Sequence, residues 1–171
     1  MKKIILVGYM GSGKTTVGKK LGIDLAIPFI DLDHFIENKE QLTINEIFKQ
    51  KGEVYFRKVE HFWFNELLNT DEQFVLSLGG GTPCYANNHL KLQDNRVQSF
   101  YLKASVSTLV ERLKNSNRPL LQNIDDLPTY IAQHLFERNY FYNFSKHILP
   151  INNKDITAIC HEILSIIKKN D

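Results

Sequence analysis

This chain of 171 residues has few cysteines, short apolar runs and little net charge. Its two cysteines, Cys84 and Cys160, have neither C-x-x-C spacing nor adjoining histidines, which argues against a disulfide framework and against a zinc site. No apolar run approaches the ~20 residues of a membrane span. The formal charge of +2 is too small to indicate nucleic-acid binding. We therefore expect no nucleic-acid and no membrane partner.

The sequence shows no repeat, and we do not expect a signal peptide at its N-terminus. Lys2 and Lys3 precede only a few apolar residues before a glycine-rich loop begins at Gly8, so the N-terminus does not fit a signal peptide. Hydrophobic residues make up 43% of the chain and charged residues 23%, as in ordinary globular proteins. The length fits one domain. We expect a single domain over residues 1–171, a cytoplasmic location and a monomer.

The segment Gly8–Thr15 fits the pattern G-x-x-x-x-G-K-S/T and follows an apolar run, Ile4–Val7. A strand, a glycine turn and a helix in this order form a cradle of backbone N–H groups that suits the phosphates of a nucleotide. Lys14 can reach the β- and γ-phosphates, and the Thr15 hydroxyl can bind Mg²⁺. The alternative is a glycine-rich turn that binds nothing.

Apolar runs alternate with helical patterns along the whole chain, which predicts a parallel sheet covered on both faces. A capping box at Thr43–Glu46 predicts a short helix that Gly52 ends, and a second helix follows from Glu53 to Leu68. The segment between the second and third strands is therefore a helical insertion. The predicted strands are Lys3–Val7, Pro28–Leu32, Phe74–Leu78, Val97–Leu102 and His147–Pro150.

Two carboxylates, Asp31 and Asp33, stand at the end of the predicted second strand. Residues two apart in an extended segment share a face, so both can point across the nucleotide. One can hold Mg²⁺ through water, and the other can accept a hydrogen bond or the proton from an attacking hydroxyl. The alternative is a solvated helix start at which Asp33 caps His34–Lys39.

Glycines and arginines indicate where a second substrate binds. Gly79–Gly81 stand at the end of the third predicted strand. Close approach of the backbone to a ligand would explain three consecutive glycines, and the alternative is a flexible loop. Arg57 has Glu60 at i+3 to orient it, and Arg138 lies near the end of a later helix. Two planar guanidinium groups in one pocket would suit a small organic acid, and Arg118 could serve a mobile lid. Taken alone, each arginine would be expected to be an exposed surface residue.

Taken together, these motifs resemble the shikimate kinase family across essentially the whole chain, and they occur in the family's order. The combination is far more specific than any one motif. The matching segments are Gly8–Thr15, Asp31–Asp33, Phe56–Arg57 with Glu60, Leu78–Gly81, Arg118–Leu121 and Glu137–Arg138.

The resemblance implies an α/β three-layer sandwich with a five-stranded parallel sheet of order 2-3-1-4-5. It implies a substrate-binding helical insertion at about 33–69 and a lid at about 112–124. It further implies the transfer of a phosphoryl group from ATP, with Mg²⁺, to the 3-hydroxyl of shikimate in aromatic amino-acid biosynthesis.

Residue roles follow from the same resemblance. Asp33 would act on the reacting hydroxyl, and Lys14 and Arg118 would flank the transferred phosphoryl group. Thr15 would bind Mg²⁺ directly, and Asp31 would do so through water. The residues expected to bind shikimate are Asp33, Arg57, Gly79, Gly80, Gly81 and Arg138. Those expected to bind ATP are Gly11, Ser12, Gly13, Lys14, Thr15, Thr16 and Arg118.

Two other functions remain open at this point. A gluconate kinase or a nucleoside monophosphate kinase would share the phosphate loop, although Asp33, the glycine run and the Arg57/Arg138 pair favour a cyclic hydroxy acid. A catalytically silent relative could bind nucleotide as an interaction module, although the expected catalytic residues are all present.

Overall fold

A computed structural model describes residues 2–114, 116, 121 and 124–170. Five parallel strands form one sheet in the order β2-β3-β1-β4-β5, which confirms the expected fold class. The strands are β1 (Lys3–Val7), β2 (Phe29–Asp31), β3 (Val75–Ser77), β4 (Val97–Lys103) and β5 (His147–Pro150).

Helices flank this sheet and join its strands. Two 3₁₀ segments, Thr82–Cys84 and Asn88–Gln93, lie between β3 and β4. The α-helices are α1 (Lys14–Leu25), α2 (Leu32–Glu40), α3 (Ile44–Asn69), α4 (Val106–Leu113), α5 (Leu127–Tyr142) and α6 (Ile156–Asn170). Helix α1 packs on α6, α2 on α3, and α4 on α5. Among the described residues, no helix has the length and apolar character needed to cross a membrane.

The centre of the core is β1, whose apolar run needs cover on both faces. Ile4, Ile5 and Leu6 are fully buried and Val7 is 1% exposed. Each such side chain stabilises the fold by about 1.5–3 kcal/mol relative to an exposed one. The continuous apolar pattern is typical of a parallel strand with a helical layer on each side.

Helix α3 begins with the predicted capping box. The Thr43 N–H donates to Glu46 Oε2 at 2.7 Å, and the Glu46 N–H donates to Thr43 Oγ1 at 3.2 Å. Gly52 interrupts the helix with φ 83° and ψ 169°, a conformation open to glycine but strained for other residues. The prediction that one helix ends at Gly52 and another begins at Glu53 is confirmed by this break.

Strands β2, β3 and β1 lie side by side with β3 in the middle, and each ends at a segment that the sequence marks as functional. The phosphate loop follows β1, Asp31 ends β2, and Gly79–Gly81 follow β3. Parallel strands end at the same edge of a sheet, so these segments meet there.

Candidate active site

The phosphate loop is held by bonds from its own lysine. Gly11 and Gly13 have φ 81° and 91°, left-handed values that let the loop turn tightly before α1. Lys14 Nζ donates to the carbonyl oxygens of Gly8 at 2.8 Å and of Tyr9 at 3.1 Å. The lysine therefore lies across the loop, at the N-terminal end of α1, where the helix dipole also favours an anion.

Asp31 joins the phosphate loop to the start of α2. Its Oδ2 accepts a hydrogen bond from Thr15 Oγ1 at 3.1 Å, and its Oδ1 accepts from the backbone N–H groups of Asp33 at 3.1 Å and His34 at 3.3 Å. Asp31, and not Asp33, is thus the N-cap of this helix. The alternative in which Asp33 caps the helix is wrong, because the chain already enters the helix at Leu32.

Asp33 lies in the first turn of α2 and not on an extended segment with Asp31, so the predicted reason for their proximity is wrong. Both carboxylates nevertheless line one cleft of about 260 Å³ with Lys14 and Thr15. Burial is the main cause that raises the pKa of Asp33 from 3.8 to about 7. The carboxylates of Glu60 and Asp31 raise it further, while Lys14 and Arg57 lower it.

The first glycine after β3 leaves space for a cluster of oxygen atoms. A Cβ at Gly79 would stand 3.0 Å from Asp33 Oδ1, 3.0 Å from Glu60 Oε1 and 3.1 Å from Thr82 Oγ1. The Thr82 hydroxyl donates to Glu60 Oε1 at 2.6 Å. A side chain at position 79 would displace these groups, so close packing and not flexibility explains this glycine.

Both predicted arginines reach the neighbouring glycines. Arg57 Nη1 donates to Glu60 Oε2 at 2.7 Å, and Glu60 is only 1% exposed. A Cβ at Gly81 would meet Arg57 Nη2 at 2.5 Å, and a Cβ at Gly80 would meet Arg138 Nη1 at 3.1 Å. The two guanidinium groups line a cleft of about 180 Å³ whose other lining residues are Met10, Asp33, Ile44, Phe48, Phe56, Glu60, Gly79, Gly80 and Gly81.

The two clefts are adjacent and share one wall. Asp33, Met10, Gly79 and Gly80 line both the cleft of the phosphate loop and the cleft of the arginines. A phosphoryl donor in the first cleft and an organic acid in the second would therefore meet at Asp33. This arrangement suits in-line transfer to a hydroxyl group.

Most of the predicted residues come together, with two exceptions. Gly11, Gly13 and Thr16 line the phosphate cleft, whereas the Ser12 side chain is buried beneath the loop and does not line it. Any contact of Ser12 with a nucleotide would be through its backbone. Arg118 lies outside the described residues, as do most positions of the expected lid. The Arg112 guanidinium of α4 donates to the Gly11 carbonyl oxygen at 3.2 Å.

Sequence reasoning missed three side chains that shape the site. Thr82 bonds Glu60, the Tyr142 hydroxyl donates to the Gly80 carbonyl oxygen at 2.6 Å, and the Tyr9 ring lies against the Arg138 guanidinium. Tyr142 stands four residues after Arg138, so helical spacing could have pointed to it. Nothing in the local sequence pattern marks Thr82 or Tyr9.

Comparison with known proteins identifies the family. A family model described as shikimate kinase matches residues 10–168. A shikimate kinase of Flavobacterium psychrophilum is 52% identical, and the alignment covers 98% of this chain and 99% of that protein.

Two solved structures are similar over nearly the whole chain. A shikimate kinase of Bacteroides thetaiotaomicron has a TM-score of 0.89 at 33% identity and covers 98% of both chains. A shikimate kinase of Acinetobacter baumannii in complex with shikimate also has a TM-score of 0.89, at 35% identity, and covers 100% of this chain and 95% of its own. The chain described here therefore belongs to the shikimate kinase family.

Proposed function

We propose that this protein transfers the γ-phosphoryl group of ATP to the 3-hydroxyl of shikimate, giving shikimate 3-phosphate and ADP, with Asp33 between the two substrates. The observation that carries this proposal is the wall shared by the two clefts, which places one carboxylate beside both the phosphate loop and the arginine pair. Family membership supports the reaction, and the geometry supports the residue roles.

The phosphate loop would hold the donor. Lys14, at the N-terminal end of α1, offsets negative charge on the β- and γ-phosphates as the bond to the leaving oxygen lengthens. The Thr15 hydroxyl donates to the Asp31 carboxylate at 3.1 Å, and both oxygen groups line the same cleft, which fits Mg²⁺ bound directly by Thr15 and through water by Asp31. Bound there, the ion would neutralise phosphate charge and orient the γ-phosphoryl group.

Asp33 would act on the attacking hydroxyl. A general base works best when its pKa is close to the pH at which the enzyme operates. Because burial and neighbouring carboxylates raise the pKa of Asp33 to about 7, its carboxylate can accept a proton more readily than an exposed aspartate. The surroundings of Asp33 thus make its carboxylate more basic than a solvated aspartate carboxylate.

The arginine cleft would hold the acid. Arg57 and Arg138 present planar forks of N–H donors, which match a carboxylate in two parallel hydrogen bonds. Gly79, Gly80 and Gly81 bring backbone to the same cleft, where hydroxyl groups of a ring can bond to it. Phe48 and Phe56, whose ring centroids lie 4.8 Å apart, supply an apolar wall for the ring.

A coupled assay of ADP release, with and without shikimate, tests the reaction. We expect ADP formation that depends on shikimate and on Mg²⁺. Absence of shikimate-dependent release from protein shown to be folded would reject the activity and favour a silent, nucleotide-binding relative. Faster turnover of quinate or gluconate would instead indicate a related sugar-acid kinase.

Further features of the proposal rest on family resemblance. We expect one kinase domain over residues 1–171, a substrate-binding insertion at 33–69 that includes α2 and α3, and a lid at 112–124. Arg118 is expected to contact the transferred phosphoryl group from that lid. A monomer, a cytoplasmic location and the lack of nucleic-acid or membrane partners stay predictions.

A further inference from the structure

Tyr9, the second residue of the phosphate loop, contacts both halves of the site. Its carbonyl oxygen accepts hydrogen bonds from Lys14 Nζ at 3.1 Å and from the Ser12 N–H at 3.1 Å. Its side chain does not follow the loop toward the nucleotide cleft. It is 1% exposed and extends to α5, the helix that carries Arg138.

The Tyr9 ring lies against two side chains one turn apart on α5. The Arg138 guanidinium carbon is 5.6 Å from the ring centroid, a cation–π distance. The Tyr9 hydroxyl and His134 Nδ1 are 2.9 Å apart, within hydrogen-bond distance. Burial raises the pKa of Tyr9 to about 12, and burial with the charge of Arg138 lowers the pKa of His134, so at neutral pH a neutral phenol and a neutral imidazole share this hydrogen bond.

The two arginines of the acid cleft are supported differently. Arg57 lies 5.3 Å from the Phe56 ring centroid, but it also bonds the carboxylate of Glu60, an anion that offsets part of its charge. Arg138 contacts the face of Tyr9 and the hydroxyl of Tyr142, which are both neutral. A neutral aromatic support restricts the rotamers of a long side chain without neutralising its charge, so the guanidinium stays available for a substrate carboxylate.

We propose that Tyr9 is a positioning residue that orients Arg138 toward the substrate carboxylate, and that His134 holds the Tyr9 ring in place through its hydroxyl. This inference rests on the proposed role of Arg138. A residue of the phosphate loop would then help to set the affinity for the acid.

The test measures shikimate and ATP KM values for Tyr9→Leu in the parent and in an Arg138→Ala background. In the parent, removing the ring should raise the shikimate KM about fivefold to thirtyfold, the range expected for a lost cation–π contact. The ATP KM should stay within twofold, because the Tyr9 carbonyl group that binds Lys14 is retained. In the Arg138→Ala background the same substitution should change the shikimate KM less than twofold.

Two milder variants keep the test decisive if Tyr9→Leu does not fold. Tyr9→Phe keeps the ring and loses the hydroxyl, and His134→Leu loses the other side of that hydrogen bond. Each should raise the shikimate KM about threefold, as expected for one hydrogen bond, and the double variant should be no worse than either alone. Both effects should disappear in the Arg138→Ala background.

Tyr101→Phe is the matched control. Tyr101 is also 1% exposed, and its hydroxyl also donates to α5, at Asn139 Oδ1 over 2.8 Å. Its loss should leave the shikimate KM within twofold.

Equal effects of the Tyr9 variants with and without Arg138 would overturn the inference, since Tyr9 would then only pack the loop. A rise in the ATP KM alone would overturn it too. If Arg138→Ala itself leaves the shikimate KM unchanged, the proposed role of Arg138 fails first, and the inference fails with it.

Discussion

Replacing Asp33 with Asn should abolish activity and make the protein more stable. The folded pKa of Asp33, about 7, lies above its ordinary value of 3.8, so between these values the native state binds more protons than the unfolded state. Stability therefore falls as pH rises from about 4 to about 7, and the full cost of the buried charge is present above pH 7. Asn carries no such charge.

The size of the effect follows from the pKa. A rise from 3.8 to about 7 corresponds to at most about 4 kcal/mol, at 1.36 kcal/mol per unit. Since burying the Asn amide retains part of the desolvation cost, we expect Asp33→Asn to gain about 2 to 4 kcal/mol at pH 8 and almost nothing at pH 4. Urea unfolding at both pH values measures this difference, and the turnover assay should show the loss of activity.

Asp94→Asn provides a control of opposite sign. The Arg96 side chain hydrogen-bonds Asp94 and lowers its pKa to about 2. That group stabilises the fold above pH 4 and loses its contribution as pH falls through about 2, so Asp94→Asn should reduce stability at pH 8. If Asp33→Asn were only as stable as the parent at pH 8, or less stable, the surroundings of Asp33 would not disfavour its charged form, and the reasoning would be wrong.

Three other perturbations address the phosphate cleft and its proton chemistry. Lys14→Ala should lower turnover more than a hundredfold, about 3 kcal/mol of transition-state stabilisation, while the protein still folds; near-normal turnover at saturating substrates would remove Lys14 from catalysis. Asp31→Asn should keep the helix cap, because Asn caps as well as Asp, yet raise the Mg²⁺ concentration needed for half-maximal rate; an unchanged requirement would place the ion elsewhere. In the parent, kcat/KM for shikimate should fall about tenfold per pH unit below an apparent pKa near 7, and a profile flat down to pH 5 would exclude Asp33 as the base.

The sequence predicts the sheet well because its strands stand out as short apolar runs between helical patterns. Strands β1 and β3 are fully buried, whereas β2 is half-buried and β5 is partly exposed. β1 and β5 have the predicted bounds, whereas β2 lacks the predicted first and last residues. Leu32, the last residue of the predicted strand, is instead the first residue of α2, because the side chain of Asp31 caps the helix. Either aspartate of this segment is a good cap by composition, and the bond between Thr15 and Asp31 is visible only in three dimensions.

The site could be predicted where motifs fix both residue type and spacing. Lys14, Arg57 with Glu60 and the glycine run are of this kind. Tyr9 could not be assigned, because an aromatic residue in an apolar environment usually fills core, and its observed contact with Arg138 is what distinguishes it. Helical spacing places Tyr142 near Arg138, but its bond to the Gly80 carbonyl oxygen is visible only in three dimensions.

Helix α5 connects the contacts that support the two clefts. His134, Arg138 and Tyr142 follow one another at four-residue intervals and contact the phosphate loop, the acid cleft and the Gly80 carbonyl oxygen. The helix spans Leu127–Tyr142, a stiff rod of about 24 Å. Any tilt of this helix would therefore move the contacts on the donor side and on the acceptor side together, and not one after the other.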